Sequence, residues 1–595
     1  MAPLAALALL AQPVAATKDT GAARAPDAAA IIHVLNRVTF GPRPGDVARV
    51  EQMGLDRYID EQLHPERIDD SALETRLAAF ETLNMSSRAL AEKYFVPAMA
   101  LRRSVQQRQT AGTKPTDDTM AGTAQTPAAP ANVRDALAGL SPEERQAVTA
   151  QRTVVAELTQ AKMLRAVDSE RQLQEVLADF WLNHFNVFIG KGQVREFLTE
   201  YDREAIRPHV LGKFRDLLGA VAHSPAMLFY LDNWQSSTPT APTAPMAMRR
   251  PGAQNRLTPE QRDRLMSRAR PANANAQAKR PTRGINENYA RELMELHTLG
   301  VDGGYTQNDV IALARILTGW TIDQPRQGGS FVFRPGMHDT GTKTLLGVTF
   351  KDDGENEGER ALDLLAKQPA TAHHIALKLA QRFVADDPPA ALVDRAAKTF
   401  LDSKGDIREV VRTILTSPEF SAADARRTKV KTPLEFVASA VRATGARITN
   451  AQPLVAAMQN LGMPLYGCQP PTGYGMTADA WVNTGALLNR MNFAVQLVSG
   501  GRILPEQTLG RGAGAANRQQ PPAGRARGAG AALRGPIQVD LGTLAPDIST
   551  ASQTAVVARL LAGQASDATR QTLARAETPQ NLVALALGSP EFQRR

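Results

Sequence analysis

At 595 residues, with 43% hydrophobic and 22% charged side chains, the chain has ample material for a large buried core, and its length fits roughly two to four domains. Its single cysteine, Cys468, excludes an intramolecular disulfide and any metal site built on paired thiolates. The net charge of +9 is confined to two segments: residues 236–283 carry ten Lys/Arg against two Asp/Glu, residues 507–536 carry five Arg and no acid, and the rest of the chain nets −4. A nucleic-acid-binding domain would set its basic residues on a folded face, so nucleic acid is excluded as a partner; the basic insertions can touch anionic surfaces.

The first element in chain order is an uncharged stretch. Met1–Ala16 holds an apolar run, Leu4 to Ala11, and ends in Val14-Ala15-Ala16, the small-residue pattern of a signal-peptide cleavage site. Residues 1–16 are therefore expected to be a signal peptide, although its basic leading region is missing, and the mature protein is expected to be periplasmic or secreted. Sixteen residues are too few to span a bilayer, and no later run approaches the roughly 20 apolar residues a span needs, so no transmembrane segment is expected.

From residue 28 the apolar residues recur at helical period through 28–63, 152–190, 203–222, 285–300, 306–321, 371–384, 389–419, 432–445 and 478–499. Thr432-Pro433-Leu434-Glu435 predicts a capping box with proline at the first helical position. Ser141-Pro142-Glu143-Glu144 and Thr258-Pro259-Glu260-Gln261 predict further helix starts. Three stretches too poor in apolar residues to order themselves interrupt the pattern: 104–133, 236–283 and 507–547. Phe331-Val332-Phe333 and Thr344–Phe350, flanking a turn-rich loop from Arg334 to Lys343, predict a lone β-hairpin. The fold expected is mostly α: a multi-helical, bundle-like domain over 28–500 with one small β-hairpin and long disordered insertions, then a Gly/Arg-rich linker at 507–547 and a C-terminal helical segment at 548–595. One short device repeats. Ser417-Pro418-Glu419-Phe420 and Ser589-Pro590-Glu591-Phe592 each end an apolar helix, with Ser224-Pro225-Ala226-Met227 as a looser copy; serine caps a new turn and proline sits at its first position.

Chemistry-bearing side chains gather in four places. In Phe180–Phe188, His184 shares an aromatic helix face with Leu177, Trp181 and Phe188, beside Asn183 and Asn186, which need partners if buried. In Asn286–Gly300, Asn288, Arg291, Glu292 and Glu295 form a polar stripe, while Tyr289, Leu293, Leu296 and His297 form the opposite apolar face. Two carboxylates one turn apart can ligate a metal or act as acid and base, and they can equally be a solvated surface. The hairpin loop brings His338, Asp339 and Lys343 onto a glycine-containing turn, as functional loops often do, although Asp339 in such a turn also fits an Asx-turn. The loop Gly467–Gly475, followed by Trp481, presents aromatics that either stack on a ligand or cover a helix end. Phosphate loops, dinucleotide fingerprints, nucleophile elbows and His-Glu-x-x-His helices are absent from the sequence.

Ile32–Arg43, Phe180–Phe185, Ser224–Met227 with Leu231-Asp232-Asn233, Asn286–Gly300, Gly304–Gln307, Leu317–Trp320 and His338-Asp339 with Lys343 and Leu346-Gly347 together resemble the bacterial family catalogued as domain of unknown function 1800. The resemblance covers roughly 30–500, outside the insertions. It implies an exported, largely helical protein without an assigned activity, and a partner from a sulfatase-like, twin-arginine-exported family. It also implies that His184, Asn288, Glu292, Glu295, His338 and Asp339 meet in space. Two functions follow as expectations: binding of a partner protein or polymer in the cell envelope, or a hydrolytic enzyme, assisted by a divalent metal, using His184, Asn288, Glu292, Glu295, His338, Asp339 and Lys343.

Overall fold

The computed structural model describes residues 28–100, 142–238, 284–499 and 536–595. The expected signal peptide, the insertion at 104–133, the helix start at Thr258, and most of 236–283 and 507–547 lie outside the described residues. Helices make up most of the described chain, and three two-stranded antiparallel sheets complete it. No helix among the described residues is long and apolar enough to cross a membrane.

The helix Gln172–His184 runs through the middle of the core. Leu173, Val176, Leu177, Phe180 and Trp181 are all buried along it, as are Gln172 and Glu175, and a helix buried on most of its sides has to be wrapped by others. Trp181 satisfies its one donor on the carbonyl of Val210 at 3.2 Å. The long helix before it, Pro142–Asp168, begins at the expected proline. It stops where Asp70 takes hold of the chain, accepting from Ser169 Oγ at 2.7 Å and from the Glu170 N–H at 2.8 Å.

Around this centre the N-terminal and C-terminal parts of the chain are clasped together. The helix Ala28–Val38 buries Ile31, Leu35 and Val38 completely and sends Arg37 to the carbonyl of Ala425 at 2.7 Å and to Thr428 at 3.1 Å. Gly41 follows with φ +101°, and a Cβ there would lie 3.0 Å from that of Ser439, so the turn accepts only glycine. The helix Pro433–Ala443 opens with the expected capping box of Thr432 and Glu435. From its far end Arg442 donates to the carbonyls of Gly41 and Val167, each at 2.6 Å.

The last residues close the same region. Val430 and Arg594 form a β-bridge, the Arg595 N–H donates to Lys429 O at 2.9 Å, and the Arg595 guanidinium meets Glu435 at 2.9 Å. Phe592 packs edge-on against Phe436. One hydrophobic core thus runs from Ile31 to Phe592, and the helical segment 548–595 is part of it. Both full copies of the repeated stop behave as expected. Ser417 Oγ accepts from the Phe420 N–H at 3.1 Å, Ser589 Oγ from the Phe592 N–H at 3.3 Å, and both phenylalanines are buried.

The strands differ from expectation. Phe331–Phe333 (β2) pairs with Trp320–Ile322 (β1), and Lys343–Leu345 (β3) pairs with Val348–Phe350 (β4). There are two hairpins here rather than one, and the stretch 334–342 connects them. The expected helix over 306–321 ends early, at Ile316. Gly319 at φ +85° turns the chain away, and a Cβ there would lie 2.8 Å from the Arg334 carbonyl. The β3–β4 turn is Leu346-Gly347, both at positive φ (49° and 78°), the two-residue geometry whose twist matches antiparallel strands. Asp309 Oδ1 accepts from the Leu346 N–H at 2.7 Å and holds the strained residue in place.

Two ends of the expected low-complexity stretches are structured. Ser236 and Ser237 are buried, with Ser236 Oγ accepting from the Asn286 N–H at 3.0 Å. Ile537–Gln538 (β6) pairs with Arg447–Ile448 (β5), and Leu541–Leu544 forms a short helix.

Candidate functional site

His338, Asp339 and Lys343 are brought together, and the residue that organises them is Glu357. It is fully buried at the start of the helix Asn356–Ala366. Lys343 Nζ reaches its two oxygens at 2.8 and 3.1 Å, His338 Nε2 lies 3.3 Å from Oε1, and the Asp353 N–H donates to it at 3.2 Å. His338 Nδ1 lies 2.8 Å from the Thr318 carbonyl. Asp339 turns outward into a two-pronged pair with Arg315 at 2.9 and 3.0 Å, which holds its carboxyl below the usual carboxylate range. His338, Glu357 and the exposed Asp352 place one ligand atom each within 4.8 Å of one another. A divalent ion there would face the Lys343 ammonium at contact distance. The lysine already supplies the counter-charge for Glu357, so the donor set fits a buried ion pair better than a metal.

His184 belongs to a different group. Its Nε2 lies 3.2 Å from the His297 carbonyl, and its ring packs among Trp181, Phe185, His297 and His374. Burial, reinforced by Lys378, lowers His297 to about 3 and His374 to about 4, and it pushes His184 well below its ordinary value. These imidazoles are neutral at physiological pH. Gly300 lets His374 in: at φ +86° it would carry a Cβ 3.0 Å from His374 Nδ1.

The third group lies on the outer face of the helix Glu287–Glu295, whose cap is Asn286, accepting from the Tyr289 N–H. Tyr289 and Leu293 are buried, and so is His297 just past the helix end, as their spacing implies, while Asn288 is exposed and Glu292 and Glu295 are half-buried. Glu295 accepts from Tyr305 OH at 3.3 Å. Glu292 makes no side-chain hydrogen bond among the described residues, and burial together with the neighbouring Glu295 raises its carboxyl. It also bears on Tyr230, whose phenol it helps to push up. Among the described residues, no side-chain hydrogen bond, ion pair or ring contact joins these three groups. The seven candidates therefore form three clusters: His338 with Asp339 and Lys343; His184 with His297; and Glu292 with Glu295, beside Asn288.

These motifs decide the family. A model described as "Protein of unknown function (DUF1800)" matches residues 33–594. The chain belongs to the DUF1800 family. No curated protein matches it, and no solved structure does.

In this DUF1800 chain the loop Gly467–Gly475 covers the end of the central helix instead of presenting its aromatics. Asn183 donates to the Tyr474 carbonyl at 2.9 Å and accepts from its N–H at 2.7 Å. Asn186 donates to the carbonyls of Cys468 and Pro470 at 3.0 and 2.8 Å. Trp481 is buried, with its N–H on Gly475 O. Cys468 is buried as well, and burial lifts its thiol to about 11, far from a reactive thiolate.

Sequence reasoning passed over one surface. On the helix Thr484–Val498, Leu487, Leu488 and Val495 are exposed, with Val482 just before it. The helix's only charged residue, Arg490, points inward and donates to Lys431 O at 2.7 Å and to Gln593 at 2.8 Å. Its outer face therefore carries no charge. The available signal was the run from Thr484 to Val498 with one charged side chain, a poor composition for a solvated face.

Proposed function

We propose that this DUF1800 protein is an extracytoplasmic binding protein that docks a partner protein on the outer face of the Thr484–Val498 helix. The observation that carries the reading is the uncharged face itself, with Leu488 61% exposed and Leu487 and Val495 each 45% exposed. Apolar surface gathered on one element and left in water is a mark of an interaction site. The inner face, through Phe493, Ala494 and Leu497, is anchored in the core, so the face is rigid before a partner arrives and association costs little ordering entropy. The exposed leucines and valine, with no charged side chain beside them on the helix, favour a protein over a charged envelope polymer. Family resemblance suggests one of the sulfatase-like, twin-arginine-exported proteins. The test is co-purification of the full chain with such a partner. Leu488→Glu should weaken binding at least about tenfold, as loss of a central apolar anchor does, while the melting temperature stays that of the wild type. Unchanged binding by a folded Leu488→Glu protein would sink the proposal.

One observation favours a second reading, a hydrolytic enzyme. Glu292 is a half-buried carboxylate without a side-chain hydrogen bond among the described residues and with a raised affinity for its proton, the property of a general acid or base, and Glu295 beside it could share a divalent ion. On this reading Glu292→Gln would abolish turnover and leave partner binding intact.

A further inference from the structure

A large cleft among the described residues lies apart from every group above. It measures about 780 Å³ and is walled by the helix Ala28–Val38, the Pro42–Ala48 stretch, the end of the helix Pro433–Ala443 and the segments 540–544 and 558–563. Its volume falls in the range of about 300–1,000 Å³ usual for small-molecule sites. Ile32, Val47, Ala48, Leu544 and Leu560 make the walls apolar.

Its charges are unbalanced. Lys431, Arg427, Arg559 and Arg594 line it, and none of the four forms an ion pair among the described residues, although Glu591 bears electrostatically on Arg427. Arg427 donates to the carbonyls of Leu561 and Gln564 and Arg559 to that of Thr543. The acids at the cleft are mostly committed elsewhere. Glu591 accepts from Ser566 and Thr569, Asp540 caps Thr543, and Glu51 is exposed. Lys431 is the decisive residue. It is only 4% exposed, and among the described residues its ammonium has no hydrogen-bond acceptor; it sits 3.8 Å from the centre of the Phe592 ring. The buried carboxylate that acts on it, Glu435, is already gripped by Arg382 at 2.8 Å and Arg595 at 2.9 Å. A buried cation without an anion is costly, and here it lines an apolar cavity large enough to admit one.

We propose that this cleft binds a single-chain amphiphile with an anionic headgroup, its chain against the apolar walls and its head on Lys431, with Arg427, Arg559 and Arg594 around it. Burial lowers the Lys431 ammonium to about 7, and an anion seated on it would hold its proton in place. Arg427 and Ala562, which both line the cleft, adopt left-handed backbone (φ 54° and 56°), a strain that functional sites commonly hold. A fatty-acid carboxylate and a lysophospholipid phosphate share this chemistry.

The test uses the delipidated full chain and a fluorescent fatty-acid probe, cis-parinaric acid, displaced by oleate, by a lysophosphatidylglycerol, by oleyl alcohol and by oleylamine. Oleate or the lysolipid should compete at least about tenfold better than the alcohol or amine, the ratio expected of one charge-assisted contact. Whichever anion competes better identifies the headgroup. Lys431→Met should weaken probe binding by a similar factor with an unchanged circular dichroism spectrum. Should that variant unfold, Arg559→Glu with Arg594→Glu, both on the surface, must produce the loss instead. Absence of probe binding, as when the chain's own segments fill the cleft, equal competition by alcohol and oleate, or full binding by the folded variants would each overturn the proposal. Leu488→Glu should leave probe binding unchanged, which separates this site from the docking face.

Discussion

Replacing Lys343 by methionine should destabilise the protein severely, although the side chain keeps nearly its length and shape. Lys343 and Glu357 are both fully buried as side chains. With the ammonium gone, Glu357 keeps only His338 Nε2 at 3.3 Å and the Asp353 N–H at 3.2 Å, and the Asp339 carbonyl loses its donor. Removing one partner from a buried pair costs about 3–5 kcal/mol, because the remaining charge stays in the core uncompensated. The second substitution gives the sharper result. Lys343→Met with Glu357→Met replaces the pair by apolar side chains and leaves only His338 Nε2, the Asp353 N–H and the Asp339 carbonyl without those partners, so it should recover at least half of the loss. A four-member cycle in urea, followed by tryptophan fluorescence, reads both numbers; Trp320 lies against the same helix at Gly358. A single-variant loss below about 1 kcal/mol, the value of a solvated pair, would refute the reasoning. So would a double variant no better than the single one.

Glu292→Gln should raise stability at neutral pH. The folded protein holds the Glu292 proton more tightly than the unfolded chain does, so this residue favours the folded state in acid. That contribution is lost as pH rises from the ordinary value of 4.5 through the raised one. Melting temperatures from pH 4 to 8 should show a flatter slope in the variant, and a lower midpoint at pH 7 would mean that the carboxylate has a partner. Gly473→Ala should cost about 1–3 kcal/mol, the usual price of overpacking. Gly473 has φ +76°, and its Cβ would come within 2.3 Å of the Asn183 carbonyl. Hydrogen exchange at the Tyr474 N–H, held on Asn183, should accelerate, and an unchanged exchange rate would show that the loop is not clamped there.

Local structure was readable in the sequence wherever a residue's role depends on its near neighbours. The capping box at Thr432 and Glu435, the serine–proline stops at Ser417 and Ser589, and the buried side of the Asn286–Gly300 segment all follow from spacing of three to four residues. Asn183 and Asn186 announced that they needed partners, but nothing local says those partners lie nearly 300 residues onward, at Cys468 and Tyr474. Glu357 was hidden for a related reason. Its surroundings, Asp352 to Glu359, read as an acidic surface turn, and only the distant Lys343 and His338 draw it inside. β1 was missed because three residues after a helical run are too few to show alternation, and β6 because it lies within a Gly- and Arg-rich stretch. The seven candidate residues were singled out as a group. Their division into three clusters depends on which helices meet, and hydrophobic period carries no information about that.

The tie between Arg595 and Glu435 also sets a clock. During synthesis at about 5–20 residues per second, the Glu435 carboxylate emerges roughly 8–30 s before the arginine that grips it, since 160 residues separate them. Through that interval Phe436 lacks Phe592, and the core between the first and last helices stays open. A nascent chain of this protein therefore carries Phe436 and the groove around it uncovered until the segment with Phe592 and Arg595 has been made, a surface that chaperones can hold in the meantime.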